Sequence, residues 1–252
     1  MPTERARLNR TELFSTPDAP LAETDPELSE IFDNFALDQV LEDTDLSVRL
    51  RLMVQLAALI AADSTDQYRT MLEAALATDV TPGEVKEVVY QTVPYVGMGR
   101  ASKFLTITND ALVQRDISLP LPAQSTTTVE DRFERGLVAQ KEIIGAETID
   151  RLYDTAPGDE LHFQRYLSAN CFGDFITRGL LDIATRELIV FAALVSLGGV
   201  DPQTQSHAGA NLRVGNTRAT MLGVLTCLLP FIGYPRTLNG LRALNAVAPA
   251  NS

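Results

Sequence analysis

The sequence predicts an all-α chain built from two tandem helical domains. Three observations point there: apolar residues recur at helical spacing, alternating stretches bounded by turn residues are scarce, and the second half repeats the first. Pro94-Tyr95-Val96-Gly97-Met98-Gly99-Arg100-Ala101 returns 136 positions later as Pro230-Phe231-Ile232-Gly233-Tyr234-Pro235-Arg236-Thr237. At the same spacing Asn34, Asp38 and Thr81 meet Asn170, Asp174 and Thr217. At 135, Leu46, Arg51 and Ala57-Ala58-Leu59 meet Leu181, Arg186 and Ala192-Ala193-Leu194. A period this long marks a duplicated domain rather than a solenoid of small units.

Each element follows from local signals. Residues 1–24 are polar and contain proline, which predicts an extended arm. Asp25 before Pro26 reads as a helix start, with the acid at the N-cap and proline at the first helical position. That helix should bury Leu28, Ile31, Phe32 and Phe35. Arg51 to Ala62 is nearly continuous apolar sequence rich in Ala and Leu, too long for a strand, and predicts a core helix. Tyr68, Met71, Leu72, Ala75 and Leu76 form the stripe of the next. Thr81-Pro82-Gly83-Glu84 combines a capping box with an N-terminal proline and opens a helix carrying Val85, Val88, Val89 and Val93. Pro94 and Gly97 break it, and a last helix through Phe104 to Leu112 completes the first domain, 25–117. Residues 118–128, with Pro120 and Pro122, form the linker. The second domain, 129–252, opens on a Thr127–Glu130 capping box and a helix ending at Gly145. A short helix and the Ala156-Pro157-Gly158-Asp159 turn follow. Residues 160–249 then repeat the helical order, with Gly215 stopping the helix that bears His207.

Composition limits the function. A net charge of -12 and a pI near 4.6 exclude nucleic acid and anionic membrane as expected partners, since both need clustered cations. The longest uncharged run, 219–235, is short for a membrane span and contains Gly223, Pro230 and Gly233. The N-terminus lacks the apolar core of a secretory signal. Two cysteines, Cys171 and Cys227, make no disulfide framework and suit a reducing compartment, so a cytoplasmic location is expected.

The duplication also isolates chemistry, because the second copy has Glu187 and His207 where the first has Leu52 and Met71. The second copy resembles the carboxymuconolactone decarboxylase family, which includes alkyl hydroperoxidase D-like proteins. The likeness runs through Cys171-Phe172-Gly173-Asp174, Thr177-Arg178, and Leu181-Asp182-Ile183-Ala184-Thr185-Arg186-Glu187-Leu188-Ile189. It continues through His207, Gly215, Thr217 and Tyr234-Pro235-Arg236-Thr237-Leu238-Asn239. The first copy matches more loosely, through Phe32-Asp33-Asn34-Phe35, Arg51-Leu52-Met53 and Pro94 to Met98. The resemblance implies a helical fold that assembles as trimers or hexamers of single domains, hence a homo-oligomer here, a trimer of tandem chains or a dimer.

Peroxidase members use two cysteines upstream of the histidine. Those positions hold Val200 and Gln203, so a dithiol cycle cannot run there. Both free cysteines read as buried structural thiols. The decarboxylase branch needs no thiol: it must bind an anionic lactone, stabilise an enolate-like charge, and deliver a proton to carbon. By resemblance His207 is the proton donor or base and Glu187 its orienting partner, acting on a small anionic lactone or unsaturated cyclic acid. A satisfied core histidine and a carboxylate favouring a helix dipole are the plainer alternatives. Arg178, which has no charged counterpart in the first copy, is the better substrate-binding candidate. Arg186 is matched by Arg51 and reads as structural, pairing with Asp174 or Asp38. Arg186 is nonetheless kept with Asp174, Cys171 and Tyr234 to complete the candidate substrate-binding set. His162 lies outside the motif and reads as a helix-start residue. Two isolated histidines offer no metal-ligand pair, and no glycine-rich phosphate loop or Ser-His-Asp signature is present, so no metal or cofactor is expected. Two other classes stay open: another cofactor-free biosynthetic reaction (cyclisation, isomerisation or dehydration), and a non-catalytic oligomeric small-molecule binding protein.

Overall fold

The structure, a computed structural model, describes residues 1–14 and 21–250, and among these the regular elements are helices alone. The first copy comprises α1 (Glu4–Leu13), α2 (Pro26–Asn34), α3 (Val48–Ala61), α4 (Thr65–Ala77), α5 (Pro82–Val96) and α6 (Met98–Val113). The second comprises α7 (Arg132–Ile144), α8 (Ala146–Thr155), α9 (Leu161–Tyr166), α10 (Ile183–Leu197), α11 (Asp201–Arg213) and α12 (Arg218–Val247). α2 runs on into a π-helical turn, Phe35–Gln39, and α9 into a longer one, Leu167–Ile176.

The duplication is visible in the backbone. Gly97 divides α5 from α6 at φ 76°, ψ 155°, and Gly233 divides α12 at φ 78°, ψ 168°. Only glycine takes this conformation freely, so the same residue turns the chain at the same point in both copies. α3 and α10 form the centre: each is apolar around nearly its whole circumference, and the two pack on each other. The copies share one interior, since Leu181, Ile189 and Phe231 join the first copy's core while Val54 and Ala58 join the second's. Arg51 and Ala192 to Leu194 are buried in it, as their repeated spacing predicts. The Thr81–Glu84 capping box forms in full.

Three expectations are corrected. Residues 4–13 are helical rather than extended. Thr3 caps α1; its backbone N–H donates to Asn34 at the end of α2 (2.7 Å) and its hydroxyl to Asp38 of the first π turn (2.6 Å). α7 sits likewise on the second π turn, where Arg132 pairs with Asp174 at 2.8 Å. α1 therefore belongs to the first copy as α7 does to the second. In α2, Leu28 (57%) and Ile31 (59%) are exposed, while Ser29 and Asp33 are buried. The cause is α1, whose Arg10 pairs with Asp33 and draws the polar side of α2 inward. Lastly, α7 starts at Arg132, because the Thr127 hydroxyl donates instead to the carbonyl of Gly173 at 2.9 Å.

α7 and the second π turn meet backbone to backbone. A Cβ on Gly136 would stand 2.0 Å from the Ser168 carbonyl oxygen, and one on Gly173 would stand 2.1 Å from that of Arg132. Two glycines thus set how deeply the π turn, with Cys171 on it, enters the second copy.

Candidate active site

α10 and α11 position Glu187 and His207. The side chain of Asp182 accepts from the Thr185 N–H at 2.7 Å and so starts α10, which carries Glu187 inward with no solvent exposure. His207, on α11, lies with Nδ1 at 2.8 Å from Glu187 Oε2. Asn211 locks the two helices: its amide donates to the carbonyl oxygens of His207 (2.8 Å) and Glu187 (3.0 Å). Asn216 in turn donates to Asn211 Oδ1 at 2.8 Å.

This geometry has a chemical consequence. A buried carboxylate accepts from Nδ1–H, which fixes the imidazole's orientation and leaves Nε2 as the reactive nitrogen. Nε2 has no hydrogen-bond partner among the described residues, and the side chain keeps 11% of its surface accessible. Glu187 Oε1 is buried without a partner among those residues.

Two further groups face this pair. The Tyr95 ring, from the first copy, stands edge-on to the His207 ring with centroids 5.6 Å apart. The Cys171 sulfur, on the π turn, lies 3.9 Å from the Tyr95 hydroxyl oxygen. Burial pushes the Cys171 thiol up to about 12, and the Glu187 charge adds to this against the opposing Tyr95 hydrogen bond. Burial, then the Cys171 and Glu187 charges, raise the Tyr95 phenol well above its usual 10. Cys227, in a different core cluster, is likewise raised to about 12 by burial. Both cysteines are free and buried.

The other candidates do not join His207. Arg178 and Arg186 converge on Glu87 of α5. Arg178 meets both of its oxygens (2.9 to 3.1 Å), while Arg186 pairs with Oε2 at 3.0 Å and with Gln91 at 2.9 Å. Arg186 therefore bridges the two copies through Glu87 rather than through Asp174 or Asp38. Asp174 holds Arg132 and Asn170, a structural contact matched by Asp38 and Thr3. Tyr234 is 60% exposed beside the Gly233 kink. Among the described residues, no three His, Cys, Asp or Glu side chains gather to hold a metal ion.

The sequence reading missed Tyr95, Glu87, Gln91 and Asn211. Tyr95 had a signal, since its repeat partner is Phe231. Glu87 had none: it is one acid in a helix.

The first copy's equivalent place is apolar. Leu52 and Met71 are buried there in one cluster, with Phe231 packed against it. A cavity of about 540 Å³ opens beside them, lined by Phe14, Phe32, Met71 and Phe231. Another, of about 400 Å³, is lined by Lys86, Tyr90, Pro122 and Arg178. His207 lines neither, and 11% of its side-chain surface is accessible.

Comparison with known proteins agrees with this architecture. The profile of the Carboxymuconolactone decarboxylase family matches two segments, residues 26–110 and 162–246, about two thirds of the chain. The 4-carboxymuconolactone decarboxylase of Acinetobacter baylyi is 26% identical over 106 residues, spanning 42% of this chain and 78% of that protein. A crystal structure from Burkholderia xenovorans, of a candidate gamma-carboxymuconolactone decarboxylase subunit, superposes with a TM-score of 0.53 at 18% identity. It covers 98% of both chains, so the likeness in fold extends to the whole tandem arrangement.

Proposed function

The chain belongs to the carboxymuconolactone decarboxylase family, and from that premise we propose that it is a cofactor-free carboxy-lyase acting on a small anionic lactone. One observation carries the reading: His207 Nδ1 lies 2.8 Å from the fully buried Glu187 carboxylate, which leaves Nε2 free for proton transfer.

The bond between the substrate's ring carbon and its carboxylate breaks, carbon dioxide leaves, and the electron pair moves through the conjugated system onto the carbonyl oxygen. As the carbonyl reforms, Nε2–H of the His207 imidazolium delivers a proton to carbon. A solvent proton then restores the imidazolium, with Glu187 holding Nδ1–H throughout. Positioned acid–base catalysis of this kind contributes roughly 10²- to 10⁴-fold.

The enzyme is proposed to work as a homo-oligomer, a trimer of tandem chains or a dimer, in the cytoplasm. Exposed apolar side chains support the assembly: Phe163 and Tyr166 on α9, and Tyr234 and Leu238 on α12, are each more than half exposed.

The test is release of carbon dioxide from 4-carboxymuconolactone by the purified protein and by its His207→Ala variant. Turnover by the wild type, with loss of at least roughly 10²-fold in a folded variant, is expected. Equal rates remove His207 from the mechanism. Binding of the lactone without carbon dioxide release would favour a different acid–base reaction or a binding role.

A further inference from the structure

We propose that Tyr95, carried by the first half of the chain, is the hydrogen-bond donor to the substrate's developing oxyanion in the site of the second half. The inference rests on the acid–base reading above and adds the group that attends oxygen while His207 attends carbon.

Three observations converge. The first is placement: Tyr95 lies against His207, and its hydroxyl meets Cys171 at 3.9 Å. The second is the lack of a strong partner. The phenol oxygen has one polar neighbour among the described residues, the weakly bonding Cys171 sulfur at 3.9 Å, so the hydroxyl is open to a better acceptor. The third is the exchange between copies. Position 95 repeats as 231, and each aromatic crosses to the other copy's site: Tyr95 to His207, Phe231 to the cluster containing Leu52 and Met71. The three differences therefore sort by place. Glu187, His207 and a tyrosine hydroxyl share one site, while Leu52, Met71 and a bare phenyl ring share the other.

The chemistry calls for such a group. Loss of carbon dioxide puts charge on a carbonyl oxygen, and the arginines that could neutralise it are turned to Glu87. A neutral donor preorganised in a site with little water is an effective substitute. Burial, with Cys171 and Glu187 nearby, keeps the phenol protonated at working pH.

The test uses the full-length Tyr95→Phe variant, which keeps the ring and removes only the hydroxyl, beside Phe231→Tyr as a control. With 4-carboxymuconolactone, Tyr95→Phe is expected to lower kcat by about 10²-fold with KM nearly unchanged, the pattern of a contact made in the transition state. Phe231→Tyr should leave both constants near the wild type. Unchanged kcat in Tyr95→Phe, or a loss confined to KM, overturns the proposal. An activity-independent arm uses 4-nitrophenolate, an aromatic oxyanion whose absorbance reports hydrogen bonding. The wild type should bind it about tenfold more tightly than Tyr95→Phe, equivalent to about 1.4 kcal/mol. Equal binding, or no binding by the wild type, overturns the assignment. A wild type that binds 4-nitrophenolate through Tyr95 yet leaves the lactone intact would refute the decarboxylation reading alone.

Discussion

Replacing Gly173 with alanine tests how the second copy's π turn is seated. The new Cβ would stand 2.1 Å from the Arg132 carbonyl oxygen, 2.9 Å from its carbonyl carbon and 3.2 Å from its Cβ. An ordinary carbon–oxygen contact is more than an ångström longer, and the obstructing atoms are backbone, which cannot rotate away. α7 must therefore move off the π turn, straining the Arg132–Asp174 pair and the Thr127 hydrogen bond to Gly173. Overpacking at such a contact costs about 1–3 kcal/mol. For a chain of this size, that lowers the melting temperature by roughly 2–4 °C per kcal/mol. Gly136→Ala, whose Cβ would stand 2.0 Å from the Ser168 carbonyl oxygen, should cost a similar amount. Because both press on one interface, the double variant should lose less than the sum. Gly209, on α11 with open space around its Cβ position, is the control, and alanine there should be neutral or stabilising by up to about 1 kcal/mol. Thermal and urea unfolding followed by circular dichroism measure all four. A Gly173→Ala protein as stable as the wild type would refute this account of the contact.

Both thiols, raised to about 12, should resist iodoacetamide at pH 8 in the folded protein and react fully in denaturant; rapid labelling of Cys171 in the native state would contradict its burial. Glu87→Gln should destabilise the fold by about 3–5 kcal/mol, since it leaves Arg178 and the fully buried Arg186 without a carboxylate; a shift under about 1 kcal/mol in urea would refute the network's role. Glu84→Gln keeps an acceptor for the capping box but removes the charge that Arg49 pairs with, and should cost about 1 kcal/mol. Burial alone would raise the Glu84 carboxyl, but hydrogen bonds from Arg49 and Thr81 outweigh it and hold it below 4.5. Its charge thus stabilises the fold above the unfolded pKa and stops doing so as pH falls through the lower folded value. The gap between variant and wild type should accordingly narrow in acid, and a gap independent of pH would contradict the assignment.

The fold was legible because its signals are local and doubled. The capping box at Thr81, the proline at 26 and the apolar runs of α3 and α10 each carry their own reason to form helix, and the glycines at 97 and 233 their own reason to interrupt it. α1 was not legible: its burial depends on a π turn some thirty residues away, and its polar sequence looks like an arm. The same contact misled the reading of α2, where Arg10 turns Asp33 inward and leaves Ile31 outside. Of the site, Glu187 and His207 stood out because the first copy lacks them. Arg178 was set against the substrate, and Arg186, rightly read as a buried ion pair, was given the wrong partner, because Glu87, which neutralises both, lies about ninety residues away in the other copy. Tyr95 shows the same limit, since no spacing reveals that one copy's aromatic crosses to the other's histidine.

The most direct measurement of the central claim installs the first copy's residues in the second. The double variant Glu187→Leu, His207→Met gives both places the pair that the fold already buries at Leu52 and Met71. Its melting temperature should stay within a few degrees of the wild type, and release of carbon dioxide from 4-carboxymuconolactone should fall to background. A folded double variant that still turns over the lactone would contradict the claim that chemistry resides in the Glu187–His207 pair.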